Sequence, residues 1–273
     1  MMRRIQSFAK SKGWIPPKRF LLLCHQRSGS NMLTSILNQH SNIELYGQLF
    51  KDDADFQART HRLGVTPFNG DYFDDEIVSR ERFDGIENTN EQPKRNTATF
   101  VNEVFTTLGK KRCAHYIGIK VHGGTLFTSE LNDIFLDGNY RILILHRQDR
   151  LAAAISWYQA RALNQWMRTN DQQVKRPQIE MNIDTLEWFM QRISADVSLW
   201  QNLVQSAHIP HLTLTYEELT AGDFDFSTIW QFLGVSDIGS PPSRTKKLIK
   251  DYSHIKNIRA IRSRLGQYSL TSS

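Results

Sequence analysis

Apolar residues fall along this chain in two rhythms. Phe20–Cys24, Tyr116–Val121, Arg141–Leu145 and His211–Thr215 are short runs of β-branched and Leu-rich sequence. Runs of that length, bounded by polar residues, read as strands buried on both faces of a parallel sheet. Between them, Asn31–Asn38, Thr97–Leu108, Asp149–Met167 and Thr185–Ser206 carry apolar residues at helical spacing. Strands alternating with helices predict βαβ units, and hence a three-layer α/β fold around a parallel sheet. No repeat, low-complexity tract or interdomain linker breaks residues 1–273, which read as a single domain. Two stretches lack either rhythm. Residues 51–95 are polar with scattered Gly, Asn and Pro, and residues 169–181 run from Thr169 through Pro177 without a pattern. In open α/β sheets the ligand crevice lies beyond the carboxyl ends of the strands, so these excursions read either as its walls or as surface decoration.

Composition narrows the class. A chain of 273 residues with 40% apolar content supports one large core, and a domain near that size buries roughly 75% of its unfolded surface. Apolar runs such as Ile142–Leu145 are too short to cross a bilayer. Arg3 and Arg4 are not followed by the apolar stretch of a secretory signal. Cys24 and Cys113 are too few for a disulfide framework and suit a reducing compartment, which makes the cytoplasm the expected location. The net charge of +6 is concentrated at the ends: residues 3–19 hold six Lys/Arg and no acid, and residues 244–264 hold eight against Asp251 alone. No basic stripe with interleaved aromatics or known module accompanies them, which argues against a nucleic-acid partner. The basic ends read equally as solvated charge or as contacts to an anionic cofactor or a membrane surface.

Candidate chemistry begins where the first strand ends. Phe20–Cys24 runs into His25-Gln26-Arg27-Ser28-Gly29-Ser30 and then a helix from Asn31. A strand, a short Gly/Ser loop and a helix point backbone N–H groups and the helix dipole at an anion. Gly29 permits close approach, Ser28 and Ser30 add hydroxyl donors, and Arg27 adds a forked cation. The Walker pattern Gly-x-x-x-x-Gly-Lys is absent, so the loop suits phosphate or sulfate without the usual Mg-nucleotide triphosphate. Taken alone it is also consistent with a Ser/Gly turn that only caps a helix. A second constellation follows Arg141–Leu145: His146-Arg147 close the strand, and Ser156 lies about two turns into the next helix if Asp149 caps it. An arginine at a strand end and a hydroxyl on the following helix can pinch one phosphate. Singly, each also reads as an ordinary surface arginine and a helical serine bonding its own backbone.

Together these motifs resemble the sulfotransferases that use 3′-phosphoadenosine 5′-phosphosulfate (PAPS). Gln26-Arg27-Ser28-Gly29-Ser30-Asn31-Met32-Leu33 is similar to the family's 5′-phosphosulfate loop, and Leu145-His146-Arg147 through Ala154-Ile155-Ser156-Trp157 to its 3′-phosphate segment. The nine-residue spacing from Arg147 to Ser156 resembles the trehalose 2-sulfotransferase-like bacterial branch. So do Thr213-Leu214-Thr215-Tyr216-Glu217-Glu218-Leu219, the stretch Ile229–Val235, and the tail Ile255-Lys256-Asn257. The likeness touches roughly residues 20–50 and 115–260 and implies a P-loop-type fold. It implies that Arg27, Ser28, Gly29, Ser30 and Asn31 hold the 5′-phosphosulfate while Arg147 and Ser156 hold the 3′-phosphate. Asn31 stands where the family commonly has Thr or Ser, and its amide retains a donor. The implied partners are PAPS, its product 3′-phosphoadenosine 5′-phosphate (PAP) and a hydroxylated acceptor, a carbohydrate or glycolipid.

Sulfuryl transfer needs in-line geometry, stabilised charge on the leaving oxygen and a base for the incoming hydroxyl. Arg27 and the loop amides supply the charge; Lys120 is the expected second cation, with a snorkelling surface lysine as the other reading. No residues stand at metal-site spacing, and the chemistry calls for no metal. The branch resembled here carries a Glu after its first helix, in a Gly-Glu-x-Phe-like context; this chain has Tyr46-Gly47-Gln48-Leu49-Phe50, and an amide is no general base. Three assignments stay open: Gln48 positions the acceptor while another group takes the proton, Glu44 takes it, or His122 does. Lys120-Val121-His122 is similar to the Lys-Thr-His segment of cytosolic sulfotransferases, whose His is the base, and His122 is the preferred assignment. It also reads as the residue that opens the Gly123-Gly124 turn. The rival functions are a PAPS-binding protein without turnover, a P-loop-type kinase, and a basic binder of anionic surfaces.

Overall fold

The computed structural model describes residues 17–47, 49–50, 97–111, 115–126, 128–136, 139–163, 177–239 and 252–269. Its centre is β1 (Lys18–Cys24), whose last five residues are fully buried because helices cover both faces of the sheet. The other strands are β2 (Ile43–Gly47), β3 (Tyr116–His122), β4 (Tyr140–His146) and β5 (His211–Thr215). They lie in the order β2-β3-β1-β4-β5, and every pairing is parallel. Each of the four runs read from the sequence is a strand. β2 is the fifth, and its short Ile43-Glu44-Leu45 core gave too little apolar sequence to stand out.

Alternation along β1 sorts the core into two layers. Leu21 and Leu23 face one layer with α2 (Thr97–Lys111), α3 (Thr128–Leu136), α4 (Arg150–Ala162), α5 (Ile183–Ser206) and α8 (Ile258–Leu265). Phe20, Leu22 and Cys24 face the other with α1 (Ser30–Leu37) and α7 (Ser227–Leu233). Phe20 is paired with Gly118 on β3, and its ring fills the space a Cβ there would occupy, with Cζ at 2.2 Å. A glycine in mid-strand is therefore a packing requirement of the neighbouring aromatic.

Helix boundaries follow their caps. Asp149 accepts from Ala152 N–H at 2.8 Å and starts α4; Asn182 accepts from Thr185 N–H at 2.9 Å and starts α5. Thr215 and Glu218 form a capping box that turns β5 directly into α6 (Tyr216–Thr220). The helix expected over Asp149–Met167 ends at Ala162. α3 was not read from the sequence; three apolar residues, Leu131, Ile134 and Phe135, seat it in the core. Residues 51–95, Gln48 and Cys113 lie outside the described residues, as does the excursion 169–181 up to residue 176. The end of that excursion is tied down: Ile179 bridges Ile255, and Asn257 bonds both the N–H and the carbonyl of Met181, at 3.0 and 2.7 Å.

Candidate active site

β1 and β4 are neighbours, yet the helices that follow them pack on opposite faces of the sheet: α1 in the Phe20 layer, α4 in the Leu21 layer. Such a switch point opens a crevice at the carboxyl ends of the two strands. Both sequence motifs lie there.

After β1, Ser28 folds back so that its Oγ and N–H donate to the His25 carbonyl, at 2.7 and 3.4 Å. Arg27 takes a left-handed conformation (φ 64°), and Gly29 repeats it (φ 85°) as the N-cap of α1. Gly29 places no side chain over the helix start, which directs the first-turn N–H groups and the dipole into the crevice. Arg27 Nε donates to Ser156 Oγ on α4 at 2.9 Å, across 129 positions of sequence. The resemblance assigned these two residues to opposite ends of a nucleotide; the fold makes them neighbours at the switch point.

Lys120 is buried, at 5% exposure, and Nζ donates to Asn31 Oδ1 at 2.8 Å. It is no snorkelling surface lysine. Gly47 on β2 makes room for it: a Cβ there would stand 3.1 Å from Lys120 Cε. Cys24 is near the same charge, but burial pushes its thiol up to about 12, against the opposing pull of Lys120 and Ser30, so it is no nucleophile at neutral pH.

Arg147 closes β4. Its guanidinium lies 4.8 Å from the centre of the Tyr216 ring and 3.7 Å from the Glu217 carboxylate. Glu217 in turn accepts from the N–H groups of Gln148 and Asp149, at 2.9 and 3.2 Å. Arg147 Nε is buried and has no hydrogen-bond partner among the described residues. A buried guanidinium N–H in that state fits an anion supplied from outside. Tyr216 also packs on the loop, where a Cβ on Gly29 would lie 2.6 Å from its ring. It therefore forms the floor between the two anion motifs. In the sequence Tyr216 and Glu217 belong only to the Thr213–Leu219 stretch that carries the resemblance. Their position immediately after a buried strand, at the carboxyl edge, was the signal that they belong to the site.

Tyr252 brings the C-terminal segment to the same place. Burial pushes its phenol up, while the Arg147 and Arg262 guanidiniums act in the opposite direction. His146, beside Arg147, is held below the ordinary histidine range, chiefly by burial and then by Arg150.

The base candidates separate by alternation. His122 ends β3 and, with Lys120, stands on the face of the α1 layer; its carbonyl also accepts from Thr125 N–H at 3.0 Å, starting the glycine turn. Glu44 is paired with Ile117, well back from the carboxyl edge, on the opposite face. Its carboxylate accepts from the Tyr46 hydroxyl on the same strand. Among the described residues no group of three or more His, Cys, Asp or Glu is placed to hold a metal ion, and no helix is long and apolar enough to cross a membrane.

Residues 19–237 match the model of the Sulfotransferase family. The chain belongs to that family. No curated protein matches it. Among solved structures, a sulfotransferase from Alicyclobacillus acidocaldarius shares 13% identity over 93% of this chain and 91% of its own, with a TM-score of 0.46. Sulfotransferase STF9 from Mycobacterium avium shares 10% over 97% and 80%, at 0.47. The sulfotransferase domain from the curacin biosynthetic pathway shares 12% over 88% and 82%, at 0.47. The two motifs, read from separate parts of the chain, meet at the carboxyl ends of β1 and β4.

Proposed function

We propose that this sulfotransferase transfers the sulfuryl group of PAPS to a hydroxyl of a carbohydrate or glycolipid, the acceptor class suggested by its likeness to the trehalose 2-sulfotransferase branch. The observation that carries this reading is the contact between Arg27 and Ser156, which joins the two anion motifs at the switch point.

When bound, PAPS supplies an activated sulfuryl group whose sulfur–oxygen bond to the 5′-phosphate breaks as the acceptor oxygen bonds to sulfur. The N–H groups around Ser28–Asn31 hold the 5′-phosphate end. Arg27 donates from Nε to Ser156 and neutralises charge growing on the leaving phosphate oxygen. It stays protonated throughout, so its part is electrostatic. Lys120, held by Asn31, adds a second positive charge from β3. Arg147, stacked on Tyr216, binds the 3′-phosphate, and Glu217 keeps the guanidinium in place until that anion arrives. His122 takes the proton of the acceptor hydroxyl, a step for which an imidazole is the side chain most often used. The preference for His122 over Glu44 is supported by the face and depth of Glu44 in the sheet.

The test is titration of PAP into Arg147→Ala and Arg27→Ala. Each loses a charge-assisted contact of about 1.5–3 kcal/mol, and affinity is expected to fall roughly ten- to a hundredfold. Arg147→Ala should also lose preference over nucleotides without a 3′-phosphate; unchanged affinity removes that assignment. With PAPS and a panel of sugars and glycolipids, His122→Ala is expected to lower turnover about 10²–10⁴-fold with PAP binding intact. Full activity in His122→Ala together with a large gain in Gln48→Glu returns the proton to position 48. A strict Mg²⁺ requirement would favour a kinase instead.

A further inference from the structure

Behind the site, on the α5 face of the sheet, lies a polar cluster that the chemistry above does not use. His25 is 3% exposed, with its ring 5.2 Å from that of Trp200 and edge-on to Phe189. Its Nε2 approaches Asp196 Oδ2 to 3.1 Å without hydrogen-bond geometry, and the Arg192 Nε is 4.0 Å from the same oxygen. Arg192 lies over the Trp188 ring and donates from Nη2 to the Gly123 carbonyl at 3.4 Å. His25 is buried while Arg192 and Asp196 are partly exposed, and ion pairs at that depth add little net stability. Their placement explains them better.

The cluster touches backbone that matters. His25 is the first residue after β1, and its carbonyl anchors Ser28 of the phosphosulfate loop. Gly123 is the first residue after β3; its N–H donates to the Cys24 carbonyl at 2.9 Å. A Cβ on Gly123 would stand 2.3 Å from His25 Cε1 and 2.5 Å from Asp196 Oδ2. A Cβ on Gly124 would stand 1.5 Å from Arg192 Nη2. Both glycines therefore let the cluster bear directly on the main chain that follows His122.

We propose that His25, Asp196 and Arg192 are positioning residues that clamp the Gly123-Gly124 turn to the end of β1 and thereby set His122 against the phosphosulfate loop. The proposal rests on the reading of His122 as the base. α5 serves as the rigid bar, since Arg192 and Asp196 stand one helical turn apart on it. The geometry transmitted is that between donor and base, where a shift of about 1 Å is worth roughly a hundredfold in rate.

The experiment compares His25→Leu, which keeps apolar bulk among the rings, with His25→Gln, which restores a polar group near the position of Nε2 beside Asp196. Asp196→Asn serves as an independent removal of the acceptor charge should His25→Leu not fold. The first readout needs no acceptor: the labelled imidazole of His122, assigned through His122→Ala, is followed by NMR in PAP-saturated protein. His25→Leu and Asp196→Asn are expected to displace that resonance while PAP affinity stays within about threefold. His25→Gln is expected to bring it back to the wild-type position. The second readout is PAP release from PAPS with water as acceptor. His25→Leu should slow it about tenfold in the wild-type background and not at all on top of His122→Ala, because the two act through one step. An unmoved His122 resonance, or equal displacement by Leu and Gln, overturns the clamp, as do losses that multiply in the double variant. Wild-type release in His122→Ala overturns the base reading alone, and the resonance still decides the clamp.

Discussion

At Gly29 two demands meet that no other side chain satisfies. Its φ of 85° is a left-handed conformation, and its missing Cβ is the space taken by the Tyr216 ring at 2.6 Å. An L-residue in that conformation costs about 1–2 kcal/mol before any collision is counted. Gly29→Ala is expected to push Tyr216 away from Arg147 and to weaken PAP by at least about tenfold, with a lower Tm. Titration and thermal melting check both; unaltered PAP affinity would show that the Tyr216 floor is not needed. His146 yields a prediction of a different kind. Burial and Arg150 hold its folded-state value low, with Glu217 and Glu218 pulling the other way. The unfolded chain therefore binds this proton more readily. The contribution to stability is present above the unfolded value of about 6.5 and is lost as pH falls through it toward the lower folded value. His146→Gln is expected to flatten the drop in Tm over that window. A drop as steep as in the wild type would place the acid sensitivity elsewhere.

Among the elements, the C-terminal segment is the one whose role follows from pairing more than from hydrophobicity. Ile255 bridges Ile179, Asn257 closes around Met181, and α8 then buries Ile261 and Leu265 in the larger core layer. The segment also carries Tyr252 into the field of Arg147, and its own Arg262 acts on the same phenol. Asn257→Ala removes two hydrogen bonds, about 1–3 kcal/mol together, and the Tm is expected to fall by several degrees. Asn257→Asp keeps the acceptor for Met181 N–H but loses the donor to its carbonyl. Its second carboxylate oxygen then faces the Met181 carbonyl, so its Tm should also fall below the wild type, and a wild-type Tm in either variant would refute the two-sided clamp. The Ile-x-Asn tail was visible in the sequence only as a likeness; its physical reason is this pairing with residues 179–181.

For the whole molecule, much could be read one residue after another. Strands buried on both faces must be continuously apolar, so β1, β3 and β4 stand out, whereas β5 is an edge strand of alternating sequence whose first three residues stay half-buried; a helix cap such as Asp149 acts on residues within a turn of it. The placement of the Arg27-Ser28-Gly29-Ser30 loop and of Arg147 at strand ends was legible for the same reason, because it follows from the strands that precede them. Tertiary structure decided what depends on distance. It brought Arg27 to Ser156, laid Tyr216 between Gly29 and Arg147, and turned Glu44 to the face away from Lys120. It also closed His25 on Asp196 behind the glycines. Side-chain periodicity says which residues share a face of one element. Which strand lies beside β1, and on which side each crossover helix packs, is settled only when the whole core is buried at once.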